Sequence, residues 1–144
     1  MRKTWVAIAL LSLAAPAFAA DVGLVKVSKG SVQIQRGSEK LPAPVGAAIQ
    51  PSDVIVTGAD GSAGVTFSDN SLVSVGPNSV FAIDKYSFDS TTHQGEFLGN
   101  LHQGRLAAIS GKMVKQSPES MKIRTPSAIM GVRGTEFVVE VAQN

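Results

Sequence analysis

Two histidines, a scatter of serines and 11 carboxylates are the side chains with the means to do chemistry in this 144-residue chain. Their spacing gives them little to work with. There is no Cys and no Gly-x-Ser-x-Gly, so nucleophilic catalysis would need a scattered Ser with His93 or His102 as its base. Glu96, Glu136 and Glu140 are the carboxylates from which a glycosidase pair would come. All three stand at alternating strand positions, where outward or rim carboxylates are the ordinary occupants. His93 and His102 match no compact metal-ligand motif. Asp60, Asp69 and Asn70 fall in turns, where such side chains bond their own backbone, and form no calcium-loop pattern. The residues therefore predict no catalytic site, no metal site and no cofactor.

The elements that position these residues read as strands throughout. Val22 to Val27 and Ser31 to Gln35 flank Ser28-Lys29-Gly30, which predicts a hairpin. Leu41-Pro42-Ala43-Pro44-Val45 suits an edge or an extended crossing. Val54 to Thr57, Ala63 to Phe67, Leu72 to Val75 and Val80 to Asp84 are four short strands separated by Gly-, Asn- and Asp-bearing turns. Their near-constant spacing points to an all-β sandwich, barrel or solenoid rather than βαβ units. Lys85 to Asp89 extends this region and Ser90 to Gln94 is a polar loop. Two strands, Glu96 to Leu101 and Arg105 to Ile109, are expected around His102-Gln103-Gly104. Ser110 to Ser120 is a polar, Lys-bearing excursion; Met121 to Thr125 and Thr135 to Val141 close the chain. No segment after the first twenty residues has a helical period of useful length.

Those first twenty residues predict an address. Arg2 and Lys3 precede an apolar run from Thr4 to Phe18, and Ala17-Phe18-Ala19 offers a small-x-small cleavage pattern. The expectation is a cleavable signal at 1–20 and a single β domain over 21–144, exported to the periplasm or beyond, with no membrane span after cleavage. Arg2 and Lys3 account for two of the 13 basic side chains, so without them the rest balance the 11 acids. Nothing in that balance favours nucleic acid.

One stretch is more specific. Thr125-Pro126-Ser127-Ala128-Ile129-Met130-Gly131-Val132-Arg133-Gly134-Thr135-Glu136-Phe137 stops a strand at Pro126 and restarts one after Gly134. Gly131 and Gly134 suit positive φ or close approach at the two ends of a bend. This run closely resembles the hallmark of FecR-type domains, periplasmic modules best known from regulators of iron-siderophore uptake. Asp53-Val54-Ile55-Val56-Thr57-Gly58 resembles the family's Asp-x-Ile-x-Thr-Gly step, and Phe67 to Leu72 and Pro77-Asn78-Ser79 resemble its following repeats. Ser52 stands where the family usually has Gly. The resemblance covers about Ile49 to Val141 and implies an all-β, compact solenoid-like (β-helix-like) stack of short strands; a β-sandwich is the alternative. It also implies a non-enzymatic binding or signalling-accessory module. The helical and membrane segments of transmembrane sigma-regulators are missing here, so a stand-alone exported domain is expected.

Charge is segregated along the chain. Asp53, Asp60, Asp69, Asp84, Asp89 and Glu96 share their stretch with one base, Lys85. Arg105, Lys112, Lys115, Lys122, Arg124 and Arg133 share theirs with one acid, Glu119. Either the two halves cancel, or the bases form a strip for an envelope protein or an anionic glycan. Short stacking β units also allow a homo-oligomer or array, the alternative to a binding module. The hallmark residues Thr125, Pro126, Gly131, Arg133, Gly134, Thr135, Glu136 and Phe137 read as structural. Arg133 is expected to clamp carbonyls or a carboxylate, Asp53 or Glu136, and lock the bend. Arg133→Ala should then lower the melting temperature by several degrees; an unchanged melting temperature would move Arg133 to a binding role.

Overall fold

A computed structural model of the chain describes residues 20–132, 134 and 136–142. Residues 1–19 of the expected signal, Arg133 and Thr135 lie outside the described residues. The rest is β-structure with one short helix. In chain order the elements are β1 (Gly23–Lys29), β2 (Val32–Arg36), β3 (Glu39–Pro42), β4 (Ala48–Ile49), β5 (Val54–Thr57), β6 (Ser62–Phe67), β7 (Leu72–Val75), β8 (Val80–Phe88), β9 (Gly95–Ile109), α1 (Lys112–Gln116), β10 (Met121–Arg124), β11 (Ile129–Gly131) and β12 (Glu136–Val141).

The strands form one curled sheet in the order β3-β2-β5-β8-β9-β7-β6-β1-β4, with β10 and β12 added at β9 and β11 added at β10. It behaves as two facing layers that share β9. In one layer, Ile34, Ile55, Phe81 and Leu101 stand directly opposite one another on β2, β5, β8 and β9. In the other, Val25, Val65, Val73, Ala108 and Phe137 make the same kind of row across β1, β6, β7, β9 and β12. The two rows are the inward faces of the layers and meet in the core. Alternation explains the choice: along β6, Ala63, Val65 and Phe67 are buried while Ser62, Gly64 and Thr66 are partly open.

The all-β expectation holds. A solenoid-like stack is not seen among the described residues: the strand pairs are antiparallel, apart from β9 with β10, and the even spacing comes from the turns of the curled sheet. Three local expectations are corrected. β1 and β2 are not a hairpin; β1 pairs with β4 and β6, and β2 with β3 and β5. Gly30, at φ 63°, turns the chain from one layer to the other, packed against the Asp60 carbonyl of the β5–β6 crossing. A hairpin turn and such a corner need the same positive φ, so their residues look alike. The segments around His102-Gln103-Gly104 are not two strands but one, β9, which bulges between its pairings at Leu101 and Gln103 and bends at Gly104. Within Ser110 to Ser120, residues 112–116 form α1, held by buried Met113 and Val114.

The β9 bend is what joins the layers. β8 and β10 pair along its first part, and β7 and β12 along its last. Gly104 has φ +93°, and a Cβ there would fall on the Ser79 hydroxyl, which accepts the Arg105 N–H at 3.0 Å. Ser52 shows the opposite case, a residue with a Cβ at φ 72°. Its N–H donates to the Ile83 carbonyl at 2.8 Å, which holds the turn in place despite the crowding. That conformation costs a non-glycine residue about 1–2 kcal/mol, partly offset by the larger chain entropy of glycine. Ser52→Gly should therefore stabilise the fold by about 0.5–1 kcal/mol, read as a higher urea midpoint; a lower midpoint would contradict this.

Candidate functional site

The first part of the hallmark run, Thr125 to Ala128 with Met130, lines one side of an open groove of about 810 Å³. Its near wall is the turn from Thr125 to Ala128 with Met130, its far wall is Val138 to Ala142, and His102 and Gln103 form its floor at the β9 bulge. The turn is a β10–β11 hairpin, an element the sequence reading missed. The Thr125 N–H donates to the Ala128 carbonyl at 2.8 Å, and the Ala128 N–H donates back to Thr125 Oγ1 at 3.1 Å. Thr125 is thus buried and reciprocally bonded, while Pro126, Ser127 and Ala128 are exposed. Beyond it, β11 pairs with β10 and β12 with β9, and neither has another strand partner among the described residues. β12 is the longer of these two open edges and carries no proline.

The other hallmark residues take different places. Gly134 has φ +86°, and its carbonyl accepts the Ser110 hydroxyl at 2.6 Å. Gly131 has neither a positive φ nor any atom within 4 Å of where a Cβ would stand, which corrects the expectation that both glycines mark ends of a bend. Phe137 packs against the core and Glu136 points outward opposite Ile109. Arg133 and Thr135 lie outside the described residues.

Among the described residues Asp53 is held by Arg36 and Gln50. Its carboxylate is 1% exposed and accepts Arg36 Nε–H at 3.0 Å and Nη2–H at 2.9 Å, a two-pronged pair, plus the Gln50 N–H at 2.9 Å. Arg36 also donates to the Ala48 carbonyl at 3.2 Å. The bonds to Asp53 hold the guanidinium proton more tightly than usual, against the opposing effect of burial. Nothing in the spacing of Arg36 and Asp53 signals this contact. Four residues on, Thr57 Oγ1 donates to the Gly76 carbonyl at 2.6 Å and accepts the Ser79 N–H at 3.0 Å. The Asp and Thr of the Asp-x-Ile-x-Thr-Gly step therefore bolt the two ends of β5 to neighbouring turns.

Asp69 is a third bolt. One carboxylate oxygen accepts the Ser71 N–H, the Ser71 hydroxyl and the Tyr86 hydroxyl, at 3.2, 2.6 and 3.0 Å. The Asp69 carbonyl receives the Lys112 N–H at 2.8 Å, which anchors α1. Tyr86 in turn stacks on Phe67 and meets Phe97 edge-on, each with ring centres 5.3 Å apart. Burial, reinforced by the Asp69 carboxylate, pushes the Tyr86 phenol well above its ordinary range.

The candidate partner contacts are spread over three elements. Lys122 and Arg124 lie on β10 beside a shallow depression shared with Glu96 and Glu119. Arg105 is on the other layer, opposite Glu140. Lys112 and Lys115 are exposed on α1. His93 sits at φ 60° stacked on Phe88, with ring centres 6.0 Å apart, and His102 is exposed in the groove. Among the described residues no three His, Cys, Asp or Glu side chains gather as a metal site would require, and no helix is long and apolar enough to cross a membrane.

The family model for FecR protein matches residues 53–144. No curated protein and no solved structure matches the chain.

Two outcomes test these bolts. The chain has a single tyrosine, so absorbance near 295 nm reports Tyr86 alone. A raised folded pKa means that Tyr86 contributes stability below its unfolded value of about 10 and loses it as pH climbs above that. Phenolate should therefore appear only together with alkaline unfolding. Titration near pH 10 with circular dichroism unchanged would contradict the buried bond. Arg36→Ala should cost about 2–3 kcal/mol in denaturant unfolding, less than a fully buried pair, because the guanidinium keeps some water contact; a loss below about 0.5 kcal/mol would show that Asp53 is satisfied without it.

Proposed function

The chain belongs to the FecR family, and from that premise we propose that it is a non-enzymatic binding module of the bacterial envelope that seats an extended segment of a partner protein along β12. FecR is a regulatory and signalling family, which makes this a signalling-related domain. The observation that carries the finer reading is the groove itself, where the longest proline-free strand edge left open among the described residues borders about 810 Å³ of space beneath the hallmark turn. An added strand would bond to that edge through its backbone, and its alternate side chains would enter the groove. A strand edge left bare is otherwise a liability, blunted here by little beyond Glu136 and Glu140.

Export through residues 1–20 is part of the proposal, supported by the basic start, the apolar run and the small residues at Ala17 and Ala19. An anionic glycan has less support as the partner, since Lys122 and Arg124 share their depression with Glu96 and Glu119. A photo-crosslinking amino acid placed at Ser127 in cells should trap a partner protein, and one at Thr91, in the exposed turn after β8, should not. Equal capture at the two positions, or none at Ser127, would overturn the groove as the binding site. The intact mass of the protein recovered from the envelope fraction should show cleavage after Ala19 or Ala20; an unprocessed cytoplasmic chain would contradict export.

A further inference from the structure

A second surface adjoins the groove along β12. Of the seven large apolar side chains exposed among the described residues, five lie on one face: Leu24, Val27, Leu72, Ile109 and Val138. That face is the outer side of the layer made by β1, β6, β7, the end of β9, and β12. The strand registers order it into rows. Leu24, Thr66, Leu72, Ile109 and Glu136 stand side by side. The next row runs from Val27 to Val138 through Gly64, Ser74 and Ala107. Three of the smallest residues thus form a trough bounded by two valines, and a shallow apolar depression of about 390 Å³ lies there.

Charge at the rims is asymmetric. On the β1 side Lys26 and Lys29 are exposed, and on the β12 side Glu136 and Glu140 are exposed. Lys29 is opposite Ser62, and Arg105 is opposite Glu140, so these long side chains flank the same trough.

We infer that this face packs against the same face of a second copy of the chain, about a two-fold axis running along the strands over β7. That operation places β1 of one copy over β12 of the other. Val27 meets the partner's Val138, and Lys29 meets the partner's Glu140. In the first row Leu24 falls over the partner's Glu136, with the bulge residue Lys26 next to it, and Leu72 sits at the axis. An axis turned across the strands would instead set acid over acid, which disfavours it. A face of five strands and three rows spans about 24 by 20 Å, roughly 1,000 Å² buried in total for two copies at an intersheet distance of about 10 Å. Such an interface is at the small end of specific ones and implies a reversible dimer rather than an obligate one. β12 belongs to both surfaces, since Val138 and Glu140 also line the groove wall; Ser74, which lies away from the groove, separates a failure of the dimer from a failure of the groove.

The test is sedimentation velocity on the full chain, expressed through its own N-terminal segment, over a concentration series. A monomer–dimer equilibrium is expected, and a monomer at the highest soluble concentration would overturn the inference. Ser74→Arg, at an exposed position in the trough, should abolish the dimer with the melting temperature retained. Glu140→Lys should weaken it at least tenfold, and Lys29→Glu combined with Glu140→Lys should recover most of that loss, since the reversed pair meets across the axis. A dimer indifferent to Ser74→Arg, or one that the double reversal fails to restore while each variant stays folded, would place the contact on another face.

Discussion

The bend of β9 at Gly104 is the constraint on which the rest of the molecule depends. One strand of fifteen residues belongs to both layers, and it can do so because its backbone turns where no side chain would fit against Ser79. The bend sends Leu101 and Leu106 into one core from two directions. It also lays β12 beside the last part of β9, with Val141 opposite Gly104 itself. His102 and Gln103, just before the bend, become the floor of the groove. The candidate site is thus a by-product of how the sheet closes rather than an addition to it.

Around this bend, polar side chains at strand ends do what a larger core would do elsewhere. Asp53, Thr57 and Asp69 are buried, and each bonds to partners on other elements. A buried group of this kind adds little net energy when satisfied and costs much when orphaned. Its main effect is to exclude alternative registers, which matters in a sheet whose strands are short and similar. No buried side-chain polar atom among the described residues lacks a partner, consistent with bolts that are fully engaged.

Much of this was legible in the residues. The strands from Val54 to Val75 follow directly from alternation and from turns built on Gly58, Asn70 and Asn78, because local chemistry alone sets them. Elements whose identity depends on distant contacts were not legible. The Gly30 corner was indistinguishable from a hairpin, and β9 looked like two strands because a glycine that bends a strand reads like one that ends it. β11 is three residues, exposed at both ends, whose only strand partner among the described residues is β10, and α1 is a single turn held by two buried side chains. Arg36 carried no signal at all, since a surface arginine and one bound to a buried carboxylate have the same neighbours in sequence. Of the hallmark's two glycines only Gly134 takes a positive φ, and the closest packing against a glycine falls on Gly104, outside the hallmark.

That contrast supplies the most direct measurement: denaturant unfolding of Gly104→Ala beside Gly131→Ala. If the β9 bend holds the layers together, Gly104→Ala should lose on the order of 4 kcal/mol or fail to fold, through backbone strain and collision with Ser79. Gly131→Ala, with open space around it, should stay within about 0.5 kcal/mol of the unaltered chain. Equal, small losses in the two variants would contradict the central place given to the bend.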